Sequence, residues 1–220
     1  PACSSPKPRI AGMASPFQGH RYRIQADRYF GEVNVYNVLA DFRKYYFLKP
    51  VSFAARAMHI GRYGSEAENN RLSPLFLGYP SLIHGYRNET MYNPQNANGE
   101  GFSINQLTGS RIFVGNFEVR LPFTGVEKLA LIKSKYFFTE LAWFVDGGIA
   151  WKQQYSQPMY QSESSGTMVE DTEPIPVFST GISCRINLFG YLILEPFYAV
   201  PFYEGDFHKG SFGLNFIPGW

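Results

Sequence analysis

Apolar and polar residues alternate along most of the chain, which is the pattern of β-strands with two different faces. The clearest example runs from Phe137 to Trp151. One set of alternate residues there is apolar or aromatic, and the other includes Glu140 and Asp146. The stretch is longer than the usual soluble strand of about five or six residues. A tilted transmembrane strand needs roughly 9–11 residues that are apolar on one side. The pattern therefore predicts a membrane-spanning strand.

Seven further stretches repeat this alternation, so the sequence predicts eight strands in total. They run from Arg21 to Tyr29, Val35 to Leu48, Val51 to Ala57, Arg111 to Leu121, Phe178 to Leu188, Tyr191 to Phe202 and Ser211 to Trp220. Short connections such as Lys49-Pro50 and Gly190 predict hairpins. We predict an all-β fold: an antiparallel transmembrane β-barrel, or part of one.

The polar stretches between these strands predict the rest of the organisation. Residues 1–19 are rich in Pro, Ser and Gly and predict a linker or loop, which leaves 20–220 as the barrel domain. Residues 61–110 predict one long loop and 152–174 a second. Bacterial barrels carry their long loops on the extracellular side, so we expect both loops there.

The charged residues of the predicted strands fall on the face opposite the aromatic residues. Acidic and basic residues are equally numerous on this face, so they can pair in a wet barrel interior. The predicted inward charges are Asp27, Asp41, Glu118, Glu140, Asp146 and Glu195, with Arg21, Arg23, Arg43, Arg56, Arg120 and Arg185. A soluble β-sandwich is the alternative fold, and it would have to expose these charges and bury the aromatic residues.

Composition fits a barrel but does not by itself exclude a sandwich. The chain has 15 Tyr, 20 Phe and 3 Trp, with 17% charged residues, as expected of a barrel with aromatic girdles. No window approaches 18 consecutive apolar residues, which excludes a transmembrane helix and leaves closed β-structure as the means of spanning. The net charge is +2 with both signs interspersed, so there is no electrostatic case for a nucleic-acid partner.

The sequence gives no indication of an enzyme, a metal site or a cofactor. The two cysteines, Cys3 and Cys184, form neither a disulfide framework nor a metal-ligand spacing, and the four histidines lie far apart. A nucleophile elbow, a phosphate loop and a paired-carboxylate motif are all lacking. The first residues do not read as a signal peptide. We therefore expect a removed signal or, preferably, the C-terminal part of a longer protein.

Three motifs resemble the bacterial surface-antigen superfamily of outer-membrane barrels, which includes the barrel-assembly insertase and the two-partner-secretion transporters. Gly78 to Tyr86 (GYPSLIHGY) resembles the family's long-loop motif, normally Val-Arg-Gly followed by Phe or Tyr. Gly115 to Phe123 resembles the strand that follows this loop. Phe144 to Trp151 resembles the family's Phe-x-Asp-x-Gly-x-x-Trp strand. The resemblance runs from about Val51 to Trp220.

The resemblance implies that the long loop folds into the lumen of a sixteen-stranded barrel, where its motif Arg contacts the Asp of the last motif. Asp146 would then be the receiving carboxylate, because a buried loop cation needs a fixed anion. His84 stands where the family has Arg, and Arg87 follows three residues later. The contact between the loop and Asp146 is here called the loop lock. Either this contact is weaker than in the family, because His is largely neutral at pH 7, or Arg87 supplies the charge. The implied loop-lock residues are Ile83, His84, Gly85, Tyr86, Arg87 and Asp146.

The end of the chain resembles the C-terminal signal by which barrels are recognised for insertion. The residues concerned are Phe212, Gly213, Phe216 and Trp220. They also suit a lipid-facing strand with an interfacial Trp.

Eight strands against the family's sixteen leave three possibilities for closure. The barrel can be completed by a half-barrel that precedes this chain, by a second copy of the chain, or by closure of the eight strands alone. We prefer these possibilities in the order given. We predict a protein of the bacterial outer membrane that inserts or translocates proteins or anchors a partner domain. Its partners would be outer-membrane lipid and other outer-membrane or periplasmic proteins. The alternative is a passive structural barrel or small channel.

Overall fold

One antiparallel β-sheet forms most of the protein in the computed structural model, which describes residues 2–4, 15–69, 71–86, 104–126, 129–134, 137–152, 174–188, 192–203 and 206–218. Eight long strands build it: β1 (Gly19–Tyr29), β2 (Val35–Leu48), β3 (Val51–Tyr63), β4 (Arg111–Gly125), β5 (Phe137–Trp151), β6 (Val177–Leu188), β7 (Leu192–Tyr203) and β8 (Ser211–Pro218). The predicted all-β fold of about eight antiparallel strands is confirmed.

Each long strand pairs with its neighbours in chain order, so the sheet is a simple meander. Short strands are added to it: Ala2–Ser4 pairs with β1, Ile132–Lys133 runs parallel to β4, and Asp206–Phe207 pairs with β7. Over the residues described, β1 and β8 do not pair with each other. The sheet is therefore open, and its eight strands do not close a barrel among themselves.

The two faces of the sheet differ as the alternation predicts. Large apolar side chains project from the outer face into the surroundings; Trp143 is 48% exposed, Ile182 63% and Phe212 78%. Soluble proteins rarely expose a contiguous apolar surface of this kind. A β-sandwich would cover this face with a second sheet. In the described part of the chain, the only strands outside the main sheet are the two-residue strands Leu75–Phe76 and Thr108–Gly109, which pair with each other.

The connections divide the sheet into two ends. Strands β3 and β5 end, and β4 and β6 begin, at the same end of the antiparallel sheet, here called the long-loop end. Strands β2 and β6 end, and β3 and β7 begin, at the opposite end, here called the short-turn end. In bacterial barrels these ends are extracellular and periplasmic respectively.

The first predicted loop needs one correction. Strand β3 continues to Tyr63, so the first long loop begins at Gly64 rather than at residue 61. The described residues of that loop include the paired two-residue strands and a short 3-10 turn, Ile104–Leu107. Of the second loop, residues 153–173 lie outside the described residues, as does Gly190. None of the helical structure described has the length and apolar character that crossing a bilayer requires.

The N-terminal stretch contributes to the sheet and to its inner face. Ala2–Ser4 extends the β1 edge, and Ser15 and Phe17 are buried. The ring of Phe17 meets Phe47 edge to face at 5.7 Å. The boundary between linker and barrel domain near residue 19 stays a prediction.

Candidate functional site: a loop seated on the inner face

His84, in the first long loop, binds Asp146 of β5 on the inner face of the sheet. The Nδ1–H group of His84 donates to Oδ2 of Asp146 at 2.7 Å, and the backbone N–H of His84 donates to the same oxygen at 3.1 Å. A carboxylate only accepts hydrogen bonds, so Nδ1 carries a proton. Asp146 is 1% exposed and His84 8%. The buried carboxylate is thus held by two donors from one loop residue.

Asn116 of β4 completes this contact from the neighbouring strand. Its Nδ2 group donates to Oδ1 of Asp146 at 2.8 Å and to the carbonyl oxygen of Leu82 at 2.8 Å. Strand register explains the position, since Asn116 lies directly opposite Asp146 in the β4–β5 pair. One side-chain amide therefore joins the carboxylate to the loop backbone.

Two aromatic rings enclose the His84 imidazole. Phe144 of β5 lies 4.4 Å from it and Phe197 of β7 lies 4.6 Å from it, measured between ring centroids. Within the described residues, the buried Nε2 atom has no hydrogen-bond partner. Aromatic faces stabilise a cation, so these rings suit a protonated imidazole.

The charge state of His84 follows from competing influences. Burial lowers the pKa of His84, but the hydrogen bond and charge of Asp146 raise it, and the net pKa lies above the ordinary value of 6.5. Glu195 raises the pKa as well, whereas Arg185 lowers it. The imidazolium form is therefore favoured more strongly than in a free histidine.

Gly85 and Tyr86 carry the loop across β6 and β7. Gly85 has φ of +90°, a backbone conformation that suits glycine. Tyr86 is fully buried, and its hydroxyl lies 2.7 Å from the carbonyl oxygen of Phe178 on β6 and 3.0 Å from that of Phe202 on β7. The loop is thus bound to two more strands by a single side chain.

Ile83 packs the loop into an apolar cluster on the inner face. The buried members of the cluster are Met58, Leu77, Ile83, Tyr86, Leu107, Ile112, Val114, Ala150 and Val177. Gly148 of β5 makes room for it, because a Cβ atom there would lie 2.6 Å from Cδ1 of Ile83 and 2.9 Å from the carbonyl oxygen of Phe113. We call these contacts of Ile83, His84, Gly85 and Tyr86 the loop seat.

A buried charge network lies beside the loop seat, toward the short-turn end. Arg185 of β6 binds both carboxylate oxygens of Glu118, at 2.7 and 3.0 Å, and donates from Nε to Glu195 at 2.6 Å. Arg120 donates to Glu118 at 2.7 Å, and Glu140 lies 3.5 Å from Arg185. Charges buried in this way are tolerated when they are paired and hydrogen-bonded.

The N-terminal stretch covers this network. Ser15 Oγ lies 3.4 Å from Nη1 of Arg185, and the carbonyl oxygen of Pro16 accepts a hydrogen bond from Arg120 at 3.2 Å. A pocket of about 360 Å³ remains between Ser15, the loop and the sheet. The inner face is thus filled from both ends.

A second ionic contact ties the loop to the first strands. Arg56 of β3 binds Asp41 of β2 and donates from Nη1 to the carbonyl oxygen of Ser81 in the loop at 3.0 Å. Arg43 binds the same carboxylate at 2.7 Å. The predicted inward charges of β2 to β7 therefore share the inner face of the sheet.

The remaining predicted site residues divide into two groups. Arg87 and Trp220 lie outside the described residues. On β8, Phe212 and Phe216 face outward, and Gly213 faces inward against the Phe197 ring. Their role as an insertion signal stays a prediction.

Sequence reasoning missed three contributors: Asn116, Gly148 and the Ser15-Pro16 stretch. For Asn116, the available signal was its place among the inward-facing residues of β4. The family motif includes Gly148, but the sequence gave no physical reason for a glycine at that position. No pattern in the first residues predicted their contact with Arg120.

An open antiparallel sheet with an apolar outer face and a paired, charged inner face is the wall of an outer-membrane type of β-barrel. A family model, described as the Omp85 superfamily domain, matches residues 14–219. The chain belongs to the Omp85 superfamily, which confirms the resemblance to the surface-antigen and barrel-assembly group. Members of this superfamily are outer-membrane proteins involved in protein insertion and translocation. No curated protein matched the chain.

Proposed function

We propose that this chain is one half of a sixteen-stranded barrel in the bacterial outer membrane, and that the complete barrel inserts or translocates other proteins. The family and the outer face of the sheet support this proposal. Over the described residues, Ala2–Ser4 covers only three residues of the β1 edge, and the outer edge of β8 has no partner strand. These edges support the need for further strands, because lipid cannot satisfy unpaired backbone groups.

The loop seat is the observation that carries the functional part of the proposal. The loop contacts β4, β5, β6 and β7 through Asn116, Asp146 and the hydroxyl of Tyr86. A passive barrel does not require one loop to be bound to four strands. A barrel that opens its wall does require an internal brace that keeps the remaining strands in place.

Strand β8 would form one lip of a lateral opening. It has eight residues, against 12 in β7, and its outward residues are Phe212, Leu214 and Phe216. A seam along so short a strand is held by few backbone hydrogen bonds, each of which contributes about 1 kcal/mol net. The seam can therefore separate at modest cost, and the same exposed edge is where the insertion signal ending at Trp220 would be recognised.

Reconstitution tests this proposal directly. The complete gene product is placed in liposomes, a urea-unfolded outer-membrane barrel is added, and folded substrate is measured by heat-modifiable migration in electrophoresis. We expect faster folding of the substrate than in protein-free liposomes. Equal rates in both kinds of liposome would refute insertase activity.

A passive barrel is the second candidate, either as a structural barrel or as a small channel. The filled inner face favours the structural barrel over the channel. Single-channel recording in a planar bilayer separates the two forms of this candidate. Low conductance together with no insertase activity would identify a structural barrel that anchors a partner domain. Large, steady conductance would identify a channel.

The other half of the barrel can come from upstream strands or from a second copy of the chain. The mass of the purified gene product in detergent, measured by light scattering, distinguishes these two arrangements. We expect one polypeptide per barrel, and a dimer of the 220-residue chain would show the alternative.

A further inference from the structure

The two faces of the sheet differ in the sign of their charges as well as in polarity. In the eight long strands, every acidic residue lies on the inner face: Asp27, Asp41, Glu118, Glu140, Asp146 and Glu195. Inner-face arginines accompany them. The outer face of the same strands carries only basic charges, namely Arg28, Lys44 and Arg111.

Two of these outer cations lie at the long-loop end. Arg28 is the next-to-last residue of β1, and Arg111 is the first residue of β4. Lys44 lies nearer the short-turn end, where it pairs across the strands with His20. The outer basic residues thus lie toward the two ends of the sheet, where membrane-facing strands meet lipid headgroups.

Aromatic rings hold both arginine side chains against the outer face. The guanidinium carbon of Arg28 lies 4.4 Å from the ring centroid of Phe30 and 4.8 Å from that of Tyr36. The guanidinium carbon of Arg111 lies 4.3 Å from the ring centroid of Tyr63. Tyr36 and Tyr63 are directly paired between β2 and β3. The result is a continuous row of cation, two aromatic rings and cation, here called the outer rim.

Neighbouring residues fix the Tyr63 ring in this row. His59 Nε2 lies 2.7 Å from the Tyr63 hydroxyl, and the His59 ring stacks on Trp151 at 5.8 Å. Gly61 lies beneath, and a Cβ atom there would lie 2.8 Å from the Tyr63 ring and 2.9 Å from His59 Nε2. The Tyr63 end of the rim is therefore packed in place, whereas Phe30 and Tyr36 at the Arg28 end are exposed.

Two guanidinium groups set against aromatic rings, beside apolar lipid-facing strands, match one kind of ligand. Guanidinium binds phosphate through paired hydrogen bonds, and aromatic rings suit the boundary between headgroup and acyl chain. A carboxylate partner on a protein would not also require the apolar surface below the rim. We propose that the outer rim binds the phosphorylated headgroup of a lipid in the surrounding membrane, with Arg28 and Arg111 as the phosphate-binding residues.

Calorimetric titration of the complete protein in non-ionic detergent tests the proposal. The probes are dihexanoyl phosphatidic acid, dihexanoyl phosphatidylcholine and inorganic phosphate. We expect phosphatidic acid to bind more tightly than phosphatidylcholine. The pair of substitutions R28Q and R111Q should weaken phosphatidic acid binding about 25-fold, at about fivefold for each cation near a membrane surface.

The matched control is R23Q, since Arg23 lies on β1 but faces inward. Binding by this variant should stay within twofold of the unaltered protein. If the double variant does not fold, the proposal can still be tested on the unaltered protein by its response to salt. Raising NaCl from about 50 to about 500 mM should weaken phosphatidic acid binding more than phosphatidylcholine binding, because phosphatidic acid has a net negative charge and phosphatidylcholine has none.

Three results would overturn the proposal. They are equal affinity for the two lipids, unchanged binding by a folded double variant, and displacement of phosphatidic acid by equimolar inorganic phosphate, which would indicate a small-anion site. The titration does not depend on insertion or translocation, so failure of one proposal leaves the other standing.

Discussion

Replacing Asp146 by Ala removes the acceptor at the centre of the loop seat. Three hydrogen bonds are lost, two from His84 and one from Asn116. A buried donor left without a partner costs about 1–3 kcal/mol, and Asn116 keeps its bond to Leu82. We estimate that the loop becomes easier to release by about 2–4 kcal/mol, which is about 30- to 900-fold in the opening equilibrium.

Hydrogen exchange resolved to single amides measures this release. The amides of Leu82 and Ile83 donate to the carbonyl oxygen of Tyr79 at 2.8 and 3.0 Å, and the substitution leaves both bonds intact. Their exchange therefore reports opening of the loop rather than the deleted contacts. We expect both amides to exchange about 30-fold faster or more.

Asp27→Ala is the matched control, because Asp27 is an inward carboxylate of β1 that does not touch the loop seat. It should leave the exchange of both loop amides unchanged. If Asp146→Ala changes their exchange by less than twofold, the carboxylate does not hold the loop and the reasoning fails.

Two further predictions concern the same seat. The folded pKa of His84 is raised above 6.5, so its stabilising charge is fully present below that pH and is lost as pH rises through the folded pKa. Chymotrypsin cleavage of the loop, normalised to a peptide substrate, should therefore accelerate from about pH 6 to about pH 9. The variant His84→Arg should show no such change, and an equal acceleration in that variant would contradict the assignment. Gly148→Ala should loosen the loop by about 1–3 kcal/mol through overlap with Ile83, measured by the same cleavage at constant pH. Gly115→Ala is its control, since a Cβ atom there meets nothing within 4 Å; equal effects of the two alanines would contradict the packing argument.

The strands could be predicted from sequence because their faces meet two different solvents. Trp143 is exposed on one face and Glu140 is buried on the other, and this alternation recurs along the long strands, with a register shift between Pro122 and Thr124 of β4. The end of β3 was harder to place, because the residues from Gly61 to Tyr63 look like the polar loop that follows. Their partners lie on β2, and Tyr63 pairs with Tyr36 there.

The site could be predicted only in part, because its residues come from distant parts of the chain. His84 and Asp146 are 62 residues apart, and their pairing was implied by family resemblance rather than by alternation. Gly148 could not be predicted as a contact because its role depends on where the Ile83 side chain lies. Asn116 resembled any other inward polar residue until the register placed it opposite Asp146.

The two contacts of the Tyr86 hydroxyl have a consequence for the order of folding. They join residues separated by 92 and 116 positions, on the two strands that precede the last one. The docking position does not exist until those late strands have joined the growing wall. The Tyr86 contacts therefore form only after β6 and β7 have paired, and the docked tyrosine marks a wall that contains both strands.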